Sequence, residues 1–156
     1  MKKVWVRIIP WDKEKAISSI ESGVDALIVE EGFSPRVKEL GVMKTVAKDG
    51  DIKLGEEVIE FEIKSKQDEE KALKLSASKT LILRMSDWTI IPLENLIAQT
   101  EGLMVEVKNA AEARTAVQTL EKGTDGVVLT ASDVNVNEIR KVTQIGEAYT
   151  LKAKFE

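Results

Sequence analysis

The sequence predicts an α/β fold of parallel strands, closed as a small TIM-like (β/α)8 barrel with short or missing helices. An open doubly wound α/β sheet is the alternative. Three observations lead there. Apolar, β-branched runs alternate with helix-like segments, a pattern that implies parallel strands joined by crossovers. Glu21-Ser-Gly-Val-Asp-Ala-Leu-Ile-Val29 is echoed by Glu121-Lys-Gly-Thr-Asp-Gly-Val-Val-Leu129, an offset of 100 residues. Charged residues also recur at alternate positions within the runs, as a closed barrel with a polar lumen requires.

Strands are expected near Val4–Ile9, Asp25–Glu30, Met43–Lys48, Val58–Lys64, Thr80–Met85, Leu103–Lys108, Gly126–Thr130 and Tyr149–Phe155. Asp12 suits the cap of a first helix that ends before Gly23, and Pro35 suits the first position of a second. Asp49–Glu57, with Gly50 and Gly55, is too short and polar for a helix, so part of the outer ring is expected to be loop. Ser65 with Asp68, and Asn109 with Glu112, have capping-box spacing, and Gly123 can close the helix behind Asn109. The echoed strands are the second and seventh of this series, five units apart, which makes one unit about 20 residues. Eight units then need about 160 residues, against roughly 250 in a usual barrel.

The 156 residues suit one domain, 1–156, with a real core; the hydrophobic share is 43% and the charged share 32%. The net charge of -4 and the lack of a basic block argue against nucleic-acid binding. No apolar run is long enough for a bilayer and no signal peptide is visible, so a cytoplasmic location with no membrane partner is expected. With no cysteine and no histidine, thiol nucleophiles, serine–histidine relays and Cys/His metal sites are excluded. Proton transfer falls to Lys, Asp, Glu, Tyr or a cofactor, and no metal is expected.

Alternation sorts the charges. Glu60, Glu62 and Lys64 share one strand face; Glu106 and Lys108 share another with Met104; Lys152 and Lys154 share a third; Arg7 lies between Val6 and Ile8, and Glu30 aligns with Ile28. The outer face of a barrel is covered by helices, so these charges should line the lumen. There they must pair, as an ion network, or form a polar pocket at the C-terminal mouth. Residues that end their strands are best placed for chemistry: Glu30, Lys64, Arg84, Asp87, Lys108 and Lys154. Glu60 and Lys152 are read as structural.

Ser86-Asp-Trp-Thr-Ile-Ile-Pro-Leu-Glu-Asn-Leu-Ile-Ala98 sits at a strand-to-helix junction. Together with Ile63-Lys-Ser-Lys-Gln-Asp-Glu-Glu-Lys-Ala72 and Leu120-Glu-Lys-Gly-Thr-Asp-Gly-Val-Val-Leu129, it closely resembles the type II (archaeal-type) 3-dehydroquinate synthases. The resemblance covers most of the chain. It corresponds to the N-terminal half of the family alone, with the C-terminal half absent from this sequence. It implies NAD-dependent oxidative deamination and cyclisation of an amino-heptulosonate in aromatic amino-acid (shikimate) synthesis, with a small-molecule substrate and NAD as cofactor. Carried over by motif are Asp87, Trp88, Glu94 and Asn95, together with Lys64 and Asp68. Lys64 or Arg84 would hold a carboxylate, and Asp87 or Glu30 would take a proton if partial burial raised its pKa. No Gly-x-Gly-x-x-Gly fingerprint occurs, so NAD would need another surface or the second half.

Two other readings stand beside this one. Lys108, with Glu106 two residues before it, fits a Schiff-base lysine of the aldolase kind. Alternatively the chain is an isolated or constructed minimal barrel without catalysis, a scaffold or binding module, and a homo-oligomer is left open. Of the smaller signals, Thr130-Ala-Ser-Asp133 can cap a helix or offer amides to a phosphate. Asp25 and Asp125 read as turn residues, Trp5 and Trp11 as packing, and Asp49-Gly-Asp51 as a poor cation loop.

Overall fold

The computed structural model describes residues 3–85, 102–118 and 125–155. Its elements in chain order are β1 (Lys3–Arg7), α1 (Lys13–Ser22), β2 (Ala26–Ile28), α2 (Ser34–Leu40), β3 (Lys44–Ala47), β4 (Ile52–Lys53), β5 (Val58–Ile63), α3 (Lys66–Ser76), β6 (Thr80–Met85), β7 (Leu103–Val107), α4 (Ala110–Gln118), β8 (Gly126–Thr130), a 3-10 turn (Ala131–Asp133) and α5 (Val136–Phe155). The eight strands run in the order β4-β3-β2-β1-β8-β7-β6-β5, every pairing parallel. β4 and β5, at the two ends of that order, meet through one bridge, Leu54 with Val58, and a Gly55 N–H bond to the Val58 carbonyl at 2.7 Å. The result is a nearly closed barrel with five helices among the described residues.

Local chemistry explains the punctuation. The Asp12 carboxylate caps α1 by accepting from Lys15 N at 3.1 Å, and Gly23 ends it at φ 86°, a conformation open to glycine. Phe33 stands at the N-cap of α2, which puts Pro35 at the second helical position rather than the first. Ser65 and Asp68 form a reciprocal capping box on α3. Asn109 Oδ1 accepts from Glu112 N at 2.9 Å, and Glu112 reaches back to Lys108 N at 3.1 Å. Helix α5 is capped by Asn135, whose Oδ1 accepts from Glu138 N at 3.0 Å, and not by Ser132 or Asp133. Gly123 lies outside the described residues.

Two expectations need correction. Tyr149–Phe155 is not a strand; it is the last part of α5. Ile139, Val142 and Ile145 are buried at helical spacing upstream, and nothing in 146–155 breaks the helix they start, so the alternation of Leu151 to Phe155 is overridden. Lys152 and Lys154 are therefore helical and not strand residues. The remaining strand position is filled by β4, within the segment expected to be loop. Here the chain turns back along β3, and a Cβ at Gly50 would stand 2.8 Å from Ala47 N and from Thr45 O. Because β4 adds a strand, the echoed segments lead into β2 and β8, six positions apart in chain order instead of five.

Strand alternation divides the core as expected. Val4, Val6, Leu27, Leu81, Leu83, Val105, Val127 and Leu129 face outward against the helices. Trp5, Ala26, Ile28, Val46, Val58, Ile82, Met104 and Val128 form a second cluster within the lumen. Trp11 packs on Phe33 with ring centroids 5.6 Å apart.

The echo has a structural meaning. The Asp25 carboxylate accepts from Val4 N, at the start of β1, at 2.7 Å. The Asp125 carboxylate accepts from Leu103 N, at the start of β7, at 2.9 Å, and also from Gly102 N. Each Asp precedes one strand and ties down the N–H groups that begin its neighbour, on the face opposite the mouth. Beside Asp125, a Cβ on Gly126 would stand 2.5 Å from the Lys3 carbonyl oxygen, a backbone atom that cannot yield. Gly126→Ala is therefore expected to destabilise the chain by about 2–3 kcal/mol through overpacking, read as a lower urea midpoint at unchanged slope.

Candidate functional site at the barrel mouth

Above the apolar lumen, the next inward positions are charged. Arg7 ends β1 and is 8% exposed, the most buried charged side chain among the described residues. Its Nη2 contacts Glu60 of β5, and its Nε lies 3.6 Å from Glu106 Oε1 of β7. β1 and β5 are four strands apart in the sheet order, so Arg7 and Glu60 meet across the lumen. Arg84 of β6 donates from Nε to Glu106 Oε2 at 2.6 Å, and its Nη2 is 3.9 Å from Glu60 Oε1. Thr130, at the end of β8, donates from its hydroxyl to Glu106 Oε1 at 2.6 Å. Nearer the rim, Lys64 Nζ is 3.7 Å from Glu62 Oε1.

Glu106 is the hub. Burial works to raise its pKa, but the Arg84 and Thr130 hydrogen bonds and the charges of Arg7 and Arg84 outweigh this, and the carboxyl is held below its ordinary value. The same bond, from the other side, makes Arg84 a firmer cation still. Both oxygens of Glu106 are engaged. Each oxygen thus holds a neighbour in place, which suits a group that positions others.

The network leaves some donors open. Nε and Nη2 of Arg7 are buried, yet neither directs an N–H at an acceptor in hydrogen-bond geometry, so the neighbouring carboxylates balance its charge without aligning to it. Arg84 is anchored through Nε with its side chain 50% exposed, and its Nη2 lies beyond hydrogen-bonding distance of Glu60.

Of the residues expected to act here, Glu30, Lys64 and Lys108 each stand just past a strand end at this mouth and are exposed, and Arg84 is brought into the network. The exposure of Lys108 counts against the Schiff-base reading, which needs a desolvated amine or a neighbouring cation. Asp87, Trp88, Glu94 and Asn95 lie outside the described residues. Asp68 is taken up by the helix cap: it accepts from Lys64 N at 2.8 Å, and chiefly through that bond its pKa is lowered. Arg7, Glu60 and Glu106 were legible in the sequence as lumen charges but not as the centre of the mouth. Thr130 carried no signal beyond its inward register opposite Arg7.

Other polar groups are occupied structurally. Lys15 donates to the Ala131 carbonyl at 2.6 Å and to the Ser132 carbonyl at 3.3 Å, beside a cavity of about 100 Å³. Asp49 accepts from Gly32 N at 3.0 Å, and Asp51 binds Thr45 N at 2.9 Å and Lys38. The Asp49–Asp51 loop is thus a clasp on β3.

A parallel barrel with a charged C-terminal mouth defines the class of protein: a (β/α)-barrel whose polar site lies at the end where such barrels keep their chemistry. The 3-dehydroquinate synthase II N-terminal domain model matches residues 1–145, and the chain belongs to that family. It is 49% identical over 146 residues to a 3-dehydroquinate synthase homolog of Aquifex aeolicus, covering 93% of this chain and 44% of that one. It is 45% identical over 144 residues to the 3-dehydroquinate synthase of Methanoculleus marisnigri, covering 92% and 43%. The chain thus spans less than half the length of these relatives. Among solved structures it resembles phosphoribosyl anthranilate isomerase from Thermotoga maritima, with a TM-score of 0.73 at 13% identity, over 95% of this chain and 100% of that one, a likeness of fold alone.

The network predicts a pH dependence. A carboxylate whose folded pKa is depressed stabilises the fold above its unfolded value, and that stability is lost as pH falls through the folded value. For Glu106 the ordinary value is 4.5, so its contribution is complete above that and declines below. Glu106→Gln should therefore lose less stability than the unaltered chain between about pH 6 and pH 3. Glu106→Ala, which strips the buried Arg7 and Arg84 of their shared partner, should cost about 3 kcal/mol at neutral pH. Urea titrations across pH check both.

Proposed function

We propose that this mouth is the substrate end of a type II 3-dehydroquinate synthase, which turns an amino-heptulosonate into 3-dehydroquinate by oxidative deamination and ring closure in aromatic amino-acid synthesis. The observation that carries the reading is Arg84, anchored through Nε on Glu106 and half-exposed at the mouth of a barrel that belongs to this family. A guanidinium held in this way presents a terminal fork matched to a carboxylate.

In this reading Arg84 fixes the substrate carboxylate and so orients the adjoining carbon that bears the amine. The ammonium group must lose a proton before that carbon is oxidised, and Glu30 and Asp87 are the proposed acceptors. Ring closure develops negative charge on a carbonyl oxygen, which the rim lysines Lys64 and Lys108 would stabilise. Trp88, Glu94 and Asn95 are proposed as substrate contacts on the family resemblance.

NAD is proposed as the oxidant on the same resemblance. Two cavities among the described residues do not fit a dinucleotide: the one beside the 3-10 turn has its lysine committed to two carbonyls, and the hollow beside α2 holds Glu39 and Asp49 with a single lysine, Lys38, that is paired with Asp51.

The test is NADH formation by the purified chain given NAD and the amino-heptulosonate. Turnover is expected, with Arg84→Gln raising KM by about a hundredfold more than it lowers kcat, as loss of a ground-state carboxylate contact does. A folded chain that shows no turnover, alone or with the separately produced C-terminal half of a relative, would overturn the reading and leave a binding domain or scaffold.

A further inference from the structure

We propose that Glu60 is a built-in stand-in for a ligand carboxylate: its side chain occupies the position between Arg7 and Arg84 that a bound carboxylate takes, and must swing aside for the ligand to enter. The proposal deepens the reading of the mouth as a substrate site and rests on it for the location.

Three observations carry it. The first is the position of Glu60 Oε1, which contacts Arg7 Nη2 and lies 3.9 Å from Arg84 Nη2, so that one oxygen serves two guanidinium groups. The second is the state of Arg7. Its unaligned nitrogens, Nε and Nη2, form one edge of the guanidinium, the edge that grips a carboxylate by two parallel N–H···O bonds. That edge is buried and faces two different carboxylates, Glu106 through Nε and Glu60 through Nη2, neither of them in the two-bonded arrangement. A buried donor left in this way is costly, and a carboxylate free to choose its orientation would satisfy it. The third is the contrast between the two glutamates. Glu106 is 15% exposed and engaged through both oxygens, with Arg84 and with Thr130. Glu60 is 31% exposed and held through one oxygen. Glu60 is therefore the partner that can leave.

The charge balance is kept by the exchange. Arg7, Arg84, Glu60 and Glu106 sum to zero at neutral pH. A ligand carboxylate that replaces Glu60 restores that sum inside the lumen, while the displaced glutamate takes its charge to water. An anion added without this exchange would leave the cluster with one negative charge in excess and would find both guanidinium groups already paired.

The consequence has a diagnostic sign. If Glu60 competes with the ligand, removing its charge tightens carboxylate binding. If it is only a structural tie between β1 and β5, removal weakens the fold and leaves binding unchanged or poorer. The isotope-labelled 156-residue chain is titrated with sodium acetate, against sodium chloride at equal ionic strength, while the side-chain Nε signals of Arg7 and Arg84 are followed by NMR. Acetate is expected to move both signals. Glu60→Gln should bind acetate roughly tenfold more tightly, and Arg84→Gln roughly tenfold more weakly, the scale of one charge-assisted contact. Glu60→Asp keeps the charge but draws it back from Arg84, and serves in the same way if Glu60→Gln does not fold. Acetate affinity equal to or below that of the unaltered chain in whichever of these variants folds would overturn the proposal. So would the absence of an acetate-dependent shift at Arg7 and Arg84. A parallel titration with 3-dehydroquinate separates the two claims: acetate bound with the expected Glu60 dependence, but 3-dehydroquinate not bound, defeats the synthase reading and leaves the stand-in intact.

Discussion

The rest of the structure depends on the pairing of charges across the lumen. Eight short parallel strands enclose a bore so narrow that Arg7 on β1 reaches Glu60 on β5, four strands round the sheet. A charge in such a place is tolerated only with a partner, because desolvation costs several kcal/mol for each unpaired ion. The barrel meets that condition by register. Arg7 aligns with Thr130 on β8, Glu60 with Ile82 and Glu62 with Arg84 on β6, and inward alternation on β1, β5, β6 and β7 brings guanidinium and carboxylate groups together beside the apolar cluster of Trp5, Ile28, Ile82 and Met104. A slip of one residue in any strand would send its charge among the helices and an aliphatic side chain into the ion layer. The network thus fixes register as well as charge. It also ties β5, which meets β4 through a single bridge, to the centre of the sheet.

The opposite end of the barrel is fixed by different means. Asp25 and Asp125 use their carboxylates on N–H groups at the starts of β1 and β7, Val4 N and Leu103 N, so that these donors are not left unpaired. The repeated Asp followed by an apolar strand is therefore a structural device used twice: the Asp clamps the adjacent strand, and the chain enters the sheet. Repetition of a polar residue invites a functional interpretation. In this case the bonds account for it, and they lie away from the mouth.

Much of this was legible in the sequence because the signals were local or periodic. Seven strands, the caps at Asp12, Ser65 and Asn109, and the inward charges of Glu60, Glu62, Arg84 and Glu106 follow from alternation and capping chemistry. What could not be read depended on contacts distant in sequence. β4 has two residues, too few for a period, and exists because Gly50 lets the chain fold back on β3. Leu151 to Phe155 alternates like a strand but inherits the helix begun by Ile139 and Val142. Asp68 matched a family motif, yet its bonds to Lys64 N and Ser65 N commit it to a cap. The meeting of Arg7 with Glu60 needs the closed barrel, since 53 residues of sequence separate them.

The ion layer also constrains where proton chemistry can occur. A general base needs a free lone pair and a pKa near the working pH. Glu106 fails the second condition: burial works to raise its pKa, but the hydrogen bonds from Arg84 and Thr130 drive it down. Arg7 and Arg84 are cations at any physiological pH and can only donate. The buried layer is thus competent to bind and orient an anion but not to exchange protons with it. In the proposed reaction, proton transfer falls to residues just beyond the strand ends, where Glu30, Lys64 and Lys108 stand exposed. This division agrees with the order of the side chains along two of the strands, apolar, then charged and paired, then charged and exposed. Val58, Glu60 and Lys64 on β5, and Met104, Glu106 and Lys108 on β7, repeat that gradient from floor to rim. Under the proposed function, a ligand entering the mouth meets the exposed rim before the paired layer, so its anionic end leads and its reacting atoms trail at the height of the rim.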